Sequence, residues 1–168
     1  MAHAGPARAG ADGARSAQMT SSHTVQQPMS TPASDSAGAA RAWQPVSLGA
    51  DVPAPRGAYS PGVRAGDFLF ISGQVPRDPR TGALIGENVT EQAEATLANL
   101  RGVLEAAGAT LADVVSVAVH LQHSDDWSAF DAVYRQHFTA PFPTRTVVGA
   151  SLRGILVEVT AVAYLGGR

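Results

Sequence analysis

An abrupt break near residue 43 limits what this chain can fold. Residues 1–42 contain no aromatic residue, no Leu and no Ile, and Val25 is their only branched aliphatic. Such a segment buries too little apolar surface to offset the entropy of ordering it, so a disordered tail is expected there. Met19 and Met29 lie within it. From Trp43 onward the composition changes to that of a folded domain, and residues 43–168 are of ordinary single-domain length.

The polar inventory removes several chemistries. All 12 basic residues are Arg, and there is neither Lys nor Cys. A Schiff-base lysine, a phosphate-loop lysine, a thiol nucleophile, a disulfide framework and a thiolate zinc site are therefore excluded. Residues 43–168 carry nine Arg against twelve acidic residues, which gives no broad basic footprint for nucleic acid. No apolar run is long enough for a membrane-spanning helix, and the N-terminal 40 residues lack a signal-peptide core. A cytoplasmic location is the default expectation.

Hydrophobic periodicity predicts alternating strands and helices. Phe68–Ile71 reads as a buried strand, and Asp78–Pro79–Arg80–Thr81–Gly82 carries turn chemistry. A helix follows, capped by Asn88 or Thr90, with Glu91 and Glu94 expected in its first turn. Ala93, Leu97, Leu100, Leu104 and Ala107 form its apolar face, and Gly108 stops it. Val114–Leu121 is a β-branched strand in which Val115, Val117, Val119 and Leu121 alternate. Ser124–Asp125–Asp126 opens a second helix whose apolar side holds Trp127, Phe130, Val133, Tyr134, His137 and Phe138, and Pro141 and Pro143 close it. Thr144–Val148 and Ile155–Tyr164 are the last strands, with a bend at Arg153–Gly154. This order predicts an α+β fold with two helices packed on one face of a sheet.

Glu158 is out of place in Ile155–Ala163, where every other residue is apolar or Thr. A lone carboxylate there is costly unless it is paired, exposed at a rim, or functional. Arg145, at the start of the preceding strand, is its companion. A structural Arg145–Glu158 ion pair and a solvent-facing Glu158 are the plain alternatives to a functional pair. His120, His123 and His137 with Asp125 and Asp126 have poor spacing for a metal site, and no metal is expected.

Several motifs occur together in one order: Gly57–Ala58–Tyr59–Ser60–Pro61–Gly62–Val63, Ser72–Gly73–Gln74–Val75–Pro76, Leu97–Ala98–Asn99–Leu100, Phe142–Pro143–Thr144–Arg145–Thr146 and Val157–Glu158–Val159–Thr160–Ala161. In that order they resemble the RidA/YjgF family of reactive-intermediate imine deaminases, over about residues 45–165. The resemblance implies a chorismate-mutase-like α+β fold, a homotrimeric barrel with sites between subunits, and no cofactor. It implies hydrolytic deamination of 2-aminoacrylate-like enamines and imines to 2-keto acids and ammonia. On the matching positions, Arg145 is the carboxylate clamp, Glu158 places and activates water, and Tyr59 is brought from a neighbouring subunit. Ser72, Gly73 and the backbone of Val147 line the same pocket. Asp131 stands where these deaminases carry Asn, and a carboxylate there would repel an anionic substrate. Thr160 replaces the family's second Glu. The other functions left open are a non-catalytic trimer that binds small carboxylates or a partner protein, a related hydrolase dedicated to one pathway, and a ribonuclease-like activity, which the near-neutral charge and the lack of Lys support least.

Overall fold

The computed structural model describes residues 42–49 and 52–167. The disordered tail expected for residues 1–42 lies outside these, Ala42 apart. Six strands and two α-helices follow in order: β1 (Trp43–Pro45), β2 (Gly62–Ala65), β3 (Phe68–Gln74), α1 (Val89–Ala106), β4 (Val114–Leu121), α2 (Trp127–His137), β5 (Thr144–Gly149) and β6 (Val157–Tyr164). The strands form one sheet in the order β1-β2-β3-β6-β4-β5. Every neighbouring pair is antiparallel except β4 and β5, which α2 links as a parallel crossover. The fold is the expected α+β sheet with two helices on one face.

Local chemistry explains the helix ends. Asn88 caps α1 by accepting a hydrogen bond from the Glu91 amide (3.0 Å), and the Glu91 carboxylate accepts one from the Glu87 amide (2.7 Å). Glu94 is one turn further in than the sequence pattern placed it, and bonds His137 Nε2 of α2 (2.7 Å). Gly108 takes a left-handed conformation (φ +73°), which lets the Ala109 amide reach back to Leu104. In the turn after β3, Asp78 accepts from the Arg80 and Thr81 amides and the Thr81 hydroxyl. These bonds favour its charged form and hold its pKa below the ordinary carboxylate value.

The core lies between the helices and one sheet face. Leu97, Leu100 and Leu104 of α1 and Phe130 and Val133 of α2 pack against Leu69, Val117, Val119, Leu121, Val157 and Val159. The other face carries Phe68, Phe70, Val148 and Tyr164, each 43–49% exposed, with the Phe68 and Tyr164 rings 5.3 Å apart. Phe68–Ile71 is therefore not wholly buried: Leu69 and Ile71 face the helices while Phe68 and Phe70 face away. Val115 is likewise exposed, because a register shift between Val114 and Ser116 interrupts the alternation there. Trp127, placed by sequence on the apolar side of α2, is 44% exposed. Strands β1 and β2 gave no sequence signal of their own, being short and held by pairing to β3 and to each other.

A stripe of buried amides on α1 fixes the loops at one end of the sheet. Asn99 Nδ2 donates to the carbonyls of Val75 (2.8 Å) and Arg77 (2.9 Å). Gln92 donates to the Gly86 carbonyl (3.1 Å) and accepts from the Leu156 amide (2.7 Å). Truncating Asn99→Ala strands two loop carbonyls, and we expect a loss of about 2 kcal/mol in urea unfolding at fixed protein concentration.

Candidate active site

Strand register decides where the candidate residues stand. On β5, Arg145 lies opposite Val117 of β4, and Val147 opposite Val119. Val117 and Val119 are core residues, so Arg145 and Val147 sit on the helix side of the sheet. On β6, Glu158 lies opposite His120, in the set that faces away from the helices. Arg145 is thus two strands across from β6 and level with Ala161, three residues from Glu158. Strand geometry puts their backbones about 14 Å apart, with side chains on opposite faces. The Arg145–Glu158 ion pair is not formed, and a single chain does not bring the two groups into one cleft.

Arg145 has a different partner. Its Nη2 is 2.7 Å from Asp131 Oδ1, while Arg135 Nε donates to Asp131 Oδ2, also at 2.7 Å. The Arg145 guanidinium stacks over the Tyr134 ring, 4.5 Å from its centroid, with Trp127 at 5.7 Å. Both aromatic residues come from α2. Asp131, Tyr134, Arg135, Phe142, Pro143 and Arg145 line a cavity of about 280 Å³. Val147 follows on the same side of β5, its side chain half-buried against the core.

The electrostatics of this half follow from crowding around one carboxylate. The hydrogen bond from Arg135 lowers the Asp131 pKa first; burial opposes it, and Arg145 adds to the lowering. Burial pushes the Tyr134 hydroxyl up to about 12, Arg145 opposing and Asp131 assisting. That hydroxyl is buried without a hydrogen-bond partner among the described residues.

A second group gathers around Gly73. An added Cβ at Gly73 would collide with the Glu158 carboxylate, so glycine is what lets the acid lie against the β3 backbone. The irregularity between Ile71 and Gln74 turns this stretch, and its main chain is tied down. Ser72 Oγ donates to the Ser60 carbonyl (2.7 Å) and the Ser72 amide to Pro61 (2.9 Å). Tyr59, half exposed, and Gly73 share a cavity of about 370 Å³ with Arg56, Arg77 and Arg80. Gly73 is thus the point where the Tyr59 cavity and the Glu158 carboxylate adjoin, while Asp131 and Arg145 line a separate cavity.

Sequence reasoning missed Arg135, Tyr134 as the shelf under Arg145, and the grouping of Tyr59 with Gly73. The first was readable, since Asp131 and Arg135 are four residues apart on a helix. Among the described residues, no three His, Asp or Glu side chains gather into a potential metal cluster.

The lowered Asp131 pKa sets a pH dependence. Its contribution to stability is present above the unfolded value near 3.8 and is lost as pH falls through the lower folded value. Acid unfolding of Asp131→Asn should therefore lack part of the stability loss that the wild-type chain shows below about pH 4. A carboxyl titration by NMR should place Asp131 below 3.8; a value above it would contradict the shared-carboxylate geometry.

Known proteins share this arrangement of elements. The family profile described as Endoribonuclease L-PSP matches residues 49–165. A RutC family protein of Pyrococcus horikoshii is 39% identical over 116 residues, covering 68% of this chain and 92% of the relative. A goat (Capra hircus) protein named 2-iminobutanoate/2-iminopropanoate deaminase is 39% identical over 119 residues, covering 70% and 87%. The crystal structure of RidA from an Antarctic Psychrobacter superposes with a TM-score of 0.68 at 32% identity, covering 72% of this chain and 99% of that one. With the sheet, the two helices and the sequence match all in agreement, the chain belongs to the RidA/YjgF family, the family of the Endoribonuclease L-PSP profile.

Proposed function

We propose that this protein is a cofactor-independent hydrolase that converts 2-imino and 2-enamino acids to 2-keto acids and ammonia, at crevices shared between copies of the chain in a homotrimer. The observation that carries this reading is that Arg145 and Glu158 face opposite sides of the sheet, so that two half-sites follow if both serve one reaction. Each half is incomplete alone: one has a guanidinium on an aromatic shelf, the other a carboxylate against a glycine. A second copy supplies what each lacks. The open sheet face, with Phe68, Phe70, Val148 and Tyr164, provides apolar surface of the kind that subunits cover. The name of the goat relative supports the same chemistry.

In this reading Arg145 grips the substrate carboxylate through the guanidinium edge not used by Asp131. Glu158 of the adjoining copy holds a water against the imine carbon and accepts its proton as the C–O bond forms. The resulting carbinolamine collapses to the ketone, the C–N bond breaks, and the nitrogen leaves as ammonia after taking up a proton. An enamino acid first becomes the imine, C3 taking a proton from water as the nitrogen gives one up; the chain's task is then placement, since the imine carbon is already electrophilic. In the same reading the Tyr59 hydroxyl orients the water or the substrate nitrogen. Ser72 and Gly73 fix the main chain around Glu158, and the Val147 backbone flanks the carboxylate.

The test couples the protein to a dehydratase that generates 2-aminoacrylate or 2-iminobutanoate and follows keto-acid release. Arg145→Ala should lower kcat/KM by about two orders of magnitude or more, as expected for loss of a partly buried charge partner. Glu158→Gln should lower kcat by about 10²–10⁴-fold. Equal rates for wild type and both variants would reject the reading. If Glu158→Gln keeps full carboxylate affinity and wild type shows no turnover, the protein is a binder rather than an enzyme.

Shared sites make a sharper forecast. Co-assembly of Arg145→Ala and Glu158→Gln chains in equal amounts should restore activity to about a quarter of wild type. That is the chance that a crevice draws an intact half from each of its two contributors. No restoration in a verified mixed oligomer would place both groups in one chain's site and overturn the two-half arrangement.

A further inference from the structure

We infer that Arg135 is a positioning residue for the carboxylate clamp: it takes up the second oxygen of Asp131 and offsets its charge, so that Arg145 still presents one net positive charge to an anionic guest. This deepens the proposed function and rests on its reading of Arg145 as the clamp. A carboxylate beside a clamp is a problem on its face. An isolated Asp131–Arg145 pair is neutral, and it would draw a substrate carboxylate only weakly. The geometry resolves this with a second guanidinium. Asp131 Oδ1 is 2.7 Å from Arg145 Nη2 and Oδ2 is 2.7 Å from Arg135 Nε, so one carboxylate is shared by two cations.

Three further observations separate this from an ordinary surface pair. The Asp131 side chain is only 11% exposed, so its charge is poorly screened by water and needs local compensation. Arg135 lines the same cavity as Arg145, beside Phe142, whose ring centroid lies 5.9 Å from the Arg135 guanidinium. Asp131 and Arg135 are four residues apart on α2, so the helix holds them on one face at the mouth of that cavity. With both carboxylate oxygens engaged by guanidinium groups, the lone pairs that would repel a guest are occupied. The class of ligand favoured is a small monoanionic carboxylate.

The test measures calorimetric binding of 2-oxobutanoate, a non-reacting carboxylate, and in parallel KM and kcat for 2-iminobutanoate, at low salt. The variants are Arg135→Ala, Asp131→Asn, the double variant and Arg145→Ala. Arg135→Ala should weaken binding about three- to fivefold, the scale of an exposed ion pair, with the change in KM rather than kcat. The effect should shrink at 0.5 M salt. Removing Asp131 as well should restore affinity to within about twofold of wild type, because no carboxylate is left to offset. Arg135 is largely exposed, so its variant should melt close to wild type. Wild-type binding by Arg135→Ala, or a double variant as weak as Arg135→Ala, overturns this inference alone. Wild-type binding by Arg145→Ala overturns both it and the clamp on which it rests.

Discussion

Side chains along a strand point alternately to its two faces, and that parity governs how this molecule can work. Arg145 shares a face with Val117, and Glu158 shares the opposite face with His120. No side-chain rotation brings the guanidinium and the acid together within one sheet. The helices cover the Arg145 face, where Tyr134 and Asp131 of α2 meet the guanidinium. The open face keeps Glu158 beside Gly73 and leaves a band of aromatic surface uncovered. On the proposed reading, copies of the chain bring the two groups to one site.

Much of the fold was legible in the sequence. The four-and-three spacing of Ala93, Leu97, Leu100 and Leu104 marks α1, and all four are buried as read. The run of β-branched residues from Val114 marks β4 with the bounds it has in the structure. Two kinds of information were absent. Burial within Phe68–Ile71 depends on what covers each face, and an all-apolar run does not say which residues point outward. Strands β1 and β2 depend on partners distant in sequence, and Gly62, Ala65 and Pro45 have little strand preference of their own.

The candidate site shows the same division. Arg145 and Glu158 could be singled out because each is a charged group in an apolar context. Their opposite orientations could not, since register across β5, β4 and β6 is a tertiary property. The sequence also offered Asp131 as an apparent obstacle to anion binding. In the fold it is one member of a three-residue charge cluster, and the residue that completes the cluster is one helical turn away. A departure from a family pattern is better judged with its structural neighbours than position by position.

The amides of α1 carry a consequence for how this end of the molecule tolerates change. Gln92 reaches the segment entering β6 through Leu156, and Asn99 reaches the segment leaving β3 through Val75 and Arg77. Glu158 and Gly73 each lie two residues from one of those anchor points. A single inserted or deleted residue between Gln92 and Asn99 would rotate one of these amides by about 100° relative to the other. The two strands would then lose their common clamp, and the acid its fixed distance from the glycine, with no change to either of them. Length in α1 is therefore under the same constraint as chemistry at its far end.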